Sequence, residues 1–241
     1  MTEPYYQDDY VTLYHGDCLE HPEWWTGADV LVTDPPYGIK YRSRAASGYS
    51  RRLESQPLSN DIDTAVRDLV VIMWGDERPA IVFGSWRVPK PENVLSTLIW
   101  DKGEQNGLGS MHLPWSPTHE EIYVMGQTVA RGGSPKGWKQ NGRHPRRGSV
   151  IKNRECLSNP HGLVATIGHP TPKPLGLMEH LIDRCPSGTI ADPCAGSGST
   201  LVAAKLLGRR AVGVELEETY CEIAARRLSQ GVLDLWGGET A

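Results

Sequence analysis

Asp34, Pro35, Pro36 and Tyr37 stand together after an apolar run, residues 28–33, and each has a use against a planar aromatic amine. The Asp34 carboxylate accepts a hydrogen bond from an –NH2 group. Neither proline has an N–H, and each fixes its own φ. Pro36 biases Pro35 toward an extended conformation, which holds the Pro35 carbonyl at a set angle as a second acceptor. Tyr37 offers a flat face on which a base can stack. Taken alone, the four residues equally make a surface turn with a capping Asp.

A second cluster runs from Asp192 through Pro193, Cys194, Ala195, Gly196, Ser197, Gly198 and Ser199 to Thr200. It lies between a strand-like run, 188–192, and a helical one, 199–207. Gly196 and Gly198 let the backbone approach a ligand closely. A helix start offers free N–H groups and a positive dipole end to a carboxylate or phosphate. Glu215 ends the next strand, 19 residues after Gly196. From that place in nucleoside-binding α/β folds an acidic residue accepts ribose hydroxyls. The turn is not G-x-G-x-x-G, which favours a cofactor without a pyrophosphate. His169-Pro170-Thr171-Pro172-Lys173-Pro174 is stiff and extended. It holds Thr171 and Lys173 at fixed angles near the same pocket, or serves as a rigid linker. In His15-Gly16-Asp17-Cys18, Asp17 can accept from an adenine amino group or cap the following turn.

The elements that must position these residues are legible as alternation. Strands are expected at 11–14, 28–33, 80–84, 97–100, 121–125, 188–192 and 211–215. Helices are expected at 61–75, with Ile62, Val66, Leu69, Val70 and Met73 on one face, and at 91–97, 175–184, 199–207 and 218–228. Strands alternating with helices imply an α/β fold with a mostly parallel, doubly wound sheet covered on both faces. Residues 39–60 have no clear periodicity and read as a long loop. The stretch 126–167 is rich in Gly, Pro, Arg and Lys and reads as a small irregular lobe on one edge of the sheet. Residues 1–9 are polar and are expected to be poorly ordered.

Bulk properties bound the rest. The 241 residues suffice for one core, and the net charge of −4 gives no overall basic field. Positive charge is local instead. Lys40, Arg42, Arg44, Arg51 and Arg52 fall in the first loop. Arg131, Lys136, Lys139, Arg143, Arg146, Arg147, Lys152 and Arg154 fall in the middle stretch, whose first acidic residue is Glu155. Such a patch suits a phosphate backbone. Five scattered cysteines without C-x2-C spacing argue against a disulfide framework or a zinc site and for a reducing compartment. No apolar run indicates export or membrane insertion.

Asp-Pro-Pro-Tyr-Gly early, His-Pro-Thr-Pro-Lys-Pro later, then Asp-Pro-x-x-Gly-Ser-Gly-x-Thr resembles the amino methyltransferases of DNA that use S-adenosylmethionine. With the catalytic motif first, the order resembles the β group of that family. His119-Glu120 and Trp100-Asp101-Lys102-Gly103 look like its weaker signatures. The resemblance implies a permuted Rossmann-like methyltransferase fold: a catalytic half at 10–125, a target-recognition region at 126–167 and an S-adenosylmethionine-binding half at 168–232. It further implies that Asp34, Pro35, Pro36 and Tyr37 form the catalytic turn. Asp192, Pro193, Gly196, Ser197, Gly198 and Thr200 would hold the methionine part of S-adenosylmethionine, and Glu215 its ribose. Asp17 with the Cys18 backbone would contact its adenine, and His169, Thr171 and Lys173 would close the pocket. Cys194 stands where the family often carries Phe and reads as a packing residue.

The implied partner is double-stranded DNA with the target base flipped out, in a cytoplasmic setting without a membrane. The implied assembly is a homodimer, working alone or beside a separately encoded restriction endonuclease. Asp at the first motif position favours adenine N6 over cytosine N4, where Ser is typical. A glutamine-modifying protein methyltransferase would carry Asn at that position. An RNA substrate is not indicated. A DNA-binding module that has lost catalysis is the alternative of another class, and the intact motifs argue against it.

Overall fold

The computed structural model describes residues 3–36, 63–103, 114–115, 117–127, 138, 147–153, 163–169 and 171–230. The strands are β1 (Tyr6–Gln7), β2 (Val11–His15), β3 (Val30–Thr33), β4 (Ala80–Gly84), β5 (Val94–Asp101), β6 (His119–Met125), β7 (Val150–Lys152), β8 (Ile190–Asp192) and β9 (Ala211–Glu215). The helices are α1 (Ala65–Trp74), α2 (Leu163–Ile167), α3 (Leu175–Ile182), α4 (Ser199–Leu206) and α5 (Glu218–Ser229). All the described strands join one sheet in the order β1-β2-β9-β8-β3-β4-β6-β5-β7.

The block β2-β9-β8-β3-β4 is parallel, as expected. Beyond β4 the sheet turns mixed: β6 is antiparallel to both β4 and β5, and β7 runs parallel to β5. The chain leaves β3 toward β4 and leaves β8 toward β9. The crossovers therefore diverge between β3 and β8, and ligands of open α/β sheets bind at such a crevice, beyond the carboxyl ends of the strands.

Strand alternation fills two cores. Val30, Val32, Ile81 and Phe83 point to the side covered by α3, α4 and α5. Leu31, Val82 and Tyr123 point to the side covered by α1 and by Trp25, which stacks on Trp74 at 6.2 Å between ring centroids. Every residue of β3 is buried, as a strand covered on both faces requires.

Four local expectations are corrected. Residues 6–8 are held against the sheet: β1 pairs antiparallel with β2, and Asp8 caps the Tyr10 and Val11 amides while pairing with Lys205 at 2.6 Å. Residues 91–97 are not helical. Asn93 sits at φ 58 and turns the chain into β5, which pairs with β6 along its length with a bulge between Val94 and Ser96. The buried stripe of α1 is Arg67, Val70 and Trp74, with Leu69 and Met73 exposed. Arg67 tolerates burial because its guanidinium donates to Asp68 and to the Pro89 carbonyl. Finally, the middle stretch supplies β7 and α2.

Candidate active site

The carboxyl ends of β2, β3, β4, β5, β8 and β9 reach one edge of the sheet, and the start of antiparallel β6 meets them there. That edge carries Asp17, Asp34, Lys102, Glu120, the 192–198 turn and Glu215. The two turns singled out from sequence lie on neighbouring strands. Val30 pairs with Ile190 and Leu31 with Ala191, and Thr33 Oγ1 donates to Asp192 Oδ1 at 2.8 Å.

The glycine turn is rigidly built. Gly196 and Gly198 have φ of 52 and 77, both in the left-handed region. A Cβ on Gly196 would come 3.1 Å from His169 Nε2, so the ring closes down on bare backbone. The Gly196 amide donates to Glu215 Oε2 at 2.7 Å, and Glu215 Oε1 accepts from the Glu217 amide at 2.8 Å. From α5, buried Arg227 donates to the Ser197 carbonyl at 2.5 Å and to the hydroxyls of Ser197 and Ser199 at 3.2 Å. Arg227 carried no motif; its one sequence signal is its position three residues after Ala224 on the buried face of α5.

Two acids here are reluctant to ionise. Burial pushes Asp192 up to about 6, against hydrogen bonds from Thr200 and Thr33. Burial likewise raises Glu215 to about 6, against the Glu217 and Gly196 amides. His169 moves the other way, to about 3, because it is buried and faces the Lys173 and Arg227 cations. It is therefore neutral at physiological pH, packed edge-on against Tyr220 at 4.4 Å, with Nδ1 accepting from the Thr171 amide. Hydrogen bonding with the Cys18 thiol, and then burial, hold the Cys194 thiol well above its ordinary value. Such a thiol packs and does not attack.

Asp34 is met by a cation. Lys173 Nζ donates to Asp34 Oδ2 and lies 3.6 Å from Glu120 Oε2, while Lys102 Nζ donates to Glu120 Oε1 at 3.0 Å. Lys173 also sits 5.0 Å above the Phe83 ring. The sequence groups Lys173 with the expected cofactor-binding residues; the structure brings its ammonium to Asp34 and Glu120. Glu120 and Lys102 carry no assigned role in the sequence, although both lie in the weaker signatures.

Tyr37, Lys40, Arg42, Arg44, Arg51, Arg52, Arg131, Lys136, Lys139, Arg143, Arg146 and Arg154 lie outside the described residues. Arg147 is described, and it holds the end of α3 through the His180 carbonyl and Asp183 at 2.8 Å.

The DNA methylase family matches this chain over residues 28–226. The type II methyltransferase M2.LlaDCHI of Lactococcus lactis subsp. cremoris is 43% identical, over 96% of this chain and 94% of its own length. The crystal structure of the M1.HpyAVI–SAM complex has a TM-score of 0.60 at 22% identity, covering 91% of this chain and 100% of that one. The PvuII DNA methyltransferase (cytosine-N4-specific) has a TM-score of 0.64 at 16% identity, covering 96% of this chain and 90% of that one. Both solved structures share this fold.

Proposed function

This chain belongs to the N6/N4 DNA methylase family, and on that premise we propose that it methylates the exocyclic N6 of adenine in duplex DNA, with the target base flipped out of the helix. Its class is DNA methyltransferase and its cofactor is S-adenosylmethionine. The observation that carries the reading is the meeting of the Asp34 turn and the Asp192–Gly198 turn on adjacent strands, tied by the Thr33–Asp192 hydrogen bond of 2.8 Å.

The residues fit the cofactor. The buried Asp192 carboxylate suits the ammonium of a methionine moiety, and it stands at the head of a left-handed glycine turn where His169 and Ala224 pack too closely for any side chain. In this reading Asp192, Pro193, Gly196, Ser197, Gly198 and Thr200 hold that moiety. Glu215 keeps acceptor capacity for the ribose beside its two backbone amides. Asp17 and the Cys18 backbone face the adenine, and His169, Thr171 and Lys173 close the pocket. S-adenosylmethionine supplies there an electrophilic methyl group on a sulfonium.

Asp34 and the Pro35 carbonyl each accept one N–H of the target amine. They draw the nitrogen toward tetrahedral geometry, free its lone pair from the ring and stabilise the positive charge that grows on it. Transfer then depends on alignment rather than on a strong base. The surplus proton leaves through Asp34 to water. Tyr37 stacks on the flipped base. Phosphate contacts are assigned to Lys40, Arg42, Arg44, Arg51, Arg52, Lys136, Lys139, Arg143 and Arg146, and to Arg147, which would have to give up its bonds to His180 and Asp183 to reach one. Residues 10–125 form the catalytic half, 126–167 the target-recognition region and 168–232 the cofactor half.

Asp at position 34 supports adenine over cytosine N4. Incubation with plasmid DNA and S-adenosylmethionine, followed by nucleoside mass spectrometry, decides between them. N6-methyladenine is the expected product, N4-methylcytosine would move the assignment to the other amine, and binding without methylation would defeat the enzyme reading.

Affinity for the cofactor should depend on pH. Asp192 and Glu215 take up protons as pH falls through about 6, and protonated Asp192 loses the charge that a bound ammonium needs. Isothermal titration should show affinity falling about tenfold between pH 7.5 and about pH 5. Asp192→Asn should bind weakly at both; a flat wild-type profile would remove Asp192 from this role.

The relative's printed description as a type II methyltransferase supports a restriction–modification setting with a separately encoded endonuclease, and a cytoplasmic location completes this reading. Among the described residues no helix is long and apolar enough to cross a membrane. A homodimer completes the proposed assembly, and sedimentation of the protein alone measures it.

A further inference from the structure

Lys173 occupies an oxygen that the proposed chemistry needs. Its ammonium donates to Asp34 Oδ2, the carboxylate assigned to hold the target amine. A carboxylate neutralised by a lysine both has less room for an incoming N–H and does less to stabilise the charge growing on the nitrogen. Lys173 cannot simply shed its proton. Burial opposes its charge, yet Asp34 and Glu120 beside it hold the ammonium above the usual lysine value. If Asp34 is to be given up, the cation must go to another carboxylate.

That carboxylate is already in place. Glu120 Oε2 lies 3.6 Å from Lys173 Nζ, and Lys102 fixes the other oxygen at 3.0 Å. The four side chains come from the end of β3, the end of β5, the start of β6 and the approach to α3, so their backbones are set by the sheet and by the helix behind it. All four are largely shielded, from 8% exposure at Lys173 to 24% at Asp34. Burial works against the charge on Glu120, but the Lys173 and Lys102 ammoniums outweigh it and keep Glu120 below the usual carboxylate range. Two cations thus alternate with two anions in a row: Lys102, Glu120, Lys173, Asp34.

We propose that Glu120, anchored by Lys102, is a positioning residue that takes Lys173 from Asp34 when the target amine arrives, so that Asp34 becomes the counter-ion of the reacting nitrogen. Lys173 needs only a side-chain rotation between two carboxylates it already bridges. Without the charge on Glu120, Lys173 stays on Asp34 and the amine competes with it. The inference rests on the assignment of Asp34 as amine acceptor.

Glu120→Gln keeps the size and a hydrogen bond and removes the charge. With saturating DNA and S-adenosylmethionine its kcat should fall about 30-fold, while the affinities for cofactor and DNA stay within about threefold. Glu120→Asp, which keeps the charge, should recover most of the turnover. In a cycle with Lys173→Met, Glu120→Gln should cost nothing further, because the cation it parks is gone. Unchanged kcat in Glu120→Gln, equal losses in the Gln and Asp variants, or additive effects in the cycle would each overturn the proposal. Should Glu120→Gln fail to fold, Lys102→Met frees the anchor with both carboxylates left in place. It should lower kcat with cofactor affinity preserved, and unchanged kcat there overturns the idea equally. Wild type assayed in parallel separates the levels: no methyl transfer by wild type defeats the enzyme reading, whereas an active wild type matched by its variants defeats this inference alone.

Discussion

Replacing Asp34 with alanine is expected to lower kcat by about three orders of magnitude while S-adenosylmethionine binds within about threefold of wild type. The size follows from what is removed. The amine's lone pair is delocalised into its ring, and the carboxylate is the one charged acceptor assigned to draw it out. The Pro35 carbonyl remains, but a neutral acceptor stabilises a growing cation far less than an anion does. The fold should tolerate the change. Lys173 keeps its neighbour Glu120, and the Thr33–Asp192 bond that ties β3 to β8 does not involve Asp34. Single-turnover transfer of radiolabelled methyl, with cofactor affinity by titration, measures both quantities. A variant that retains more than about a tenth of the wild-type rate would take Asp34 out of the catalytic turn.

The second large effect is on stability. Gly198→Val should destabilise the protein by about 3 kcal/mol, roughly 10 °C in Tm, and abolish measurable cofactor binding. Gly198 has φ 77, where a β-branched residue is strained. A Cβ there would meet the Ala224 Cβ at 2.9 Å, and Ala224 is fully buried in α5. Relief requires α5 to move outward, and α5 carries Arg227, whose guanidinium braces the turn at Ser197 and Ser199. Gly208→Ala separates strain from collision. Gly208 has φ 66 with open space around it, so only the backbone penalty of about 1 kcal/mol is expected. Equal losses at the two positions, by thermal melting, would show that the contact with Ala224 is not what matters.

The parallel block was legible because buried parallel strands are short, dense apolar runs: residues 28–33, 80–84 and 211–215 could hardly be anything else. The turns at Asp34 and Asp192 were legible because glycines and prolines fix local conformation whatever surrounds them. What failed was decided at long range. Residues 91–97 begin with Pro and Glu like a helix, but pairing with β6 overrides that preference from Val94 onward. Tyr6 and Gln7 are an unremarkable dipeptide until β2 pairs with them and Lys205 holds the neighbouring Asp8. Val150 and Ile151 were a β-branched pair hidden in a run of Gly and Arg, visible as a strand only beside β5. Glu120 and Lys102 show the same limit within the site. Charged residues at strand ends are common, and nothing in their spacing tells that Lys173, more than fifty residues on, will join them.

The sheet order β2-β9-β8-β3 bears on how such a chain can be made. β2 and β3 are synthesised well before β8 and β9, yet they are not neighbours; the two strands that must lie between them are the last of the described strands in chain order. Before residue 192 emerges, β3 has β4 on one side and an open edge on the other, and β2 has only β1. Pairings so distant in sequence close slowly, and an open apolar strand edge invites pairing with other chains. Until β8 and β9 emerge the nascent protein holds two flanks without a centre, and the sheet closes only when those two strands insert between them.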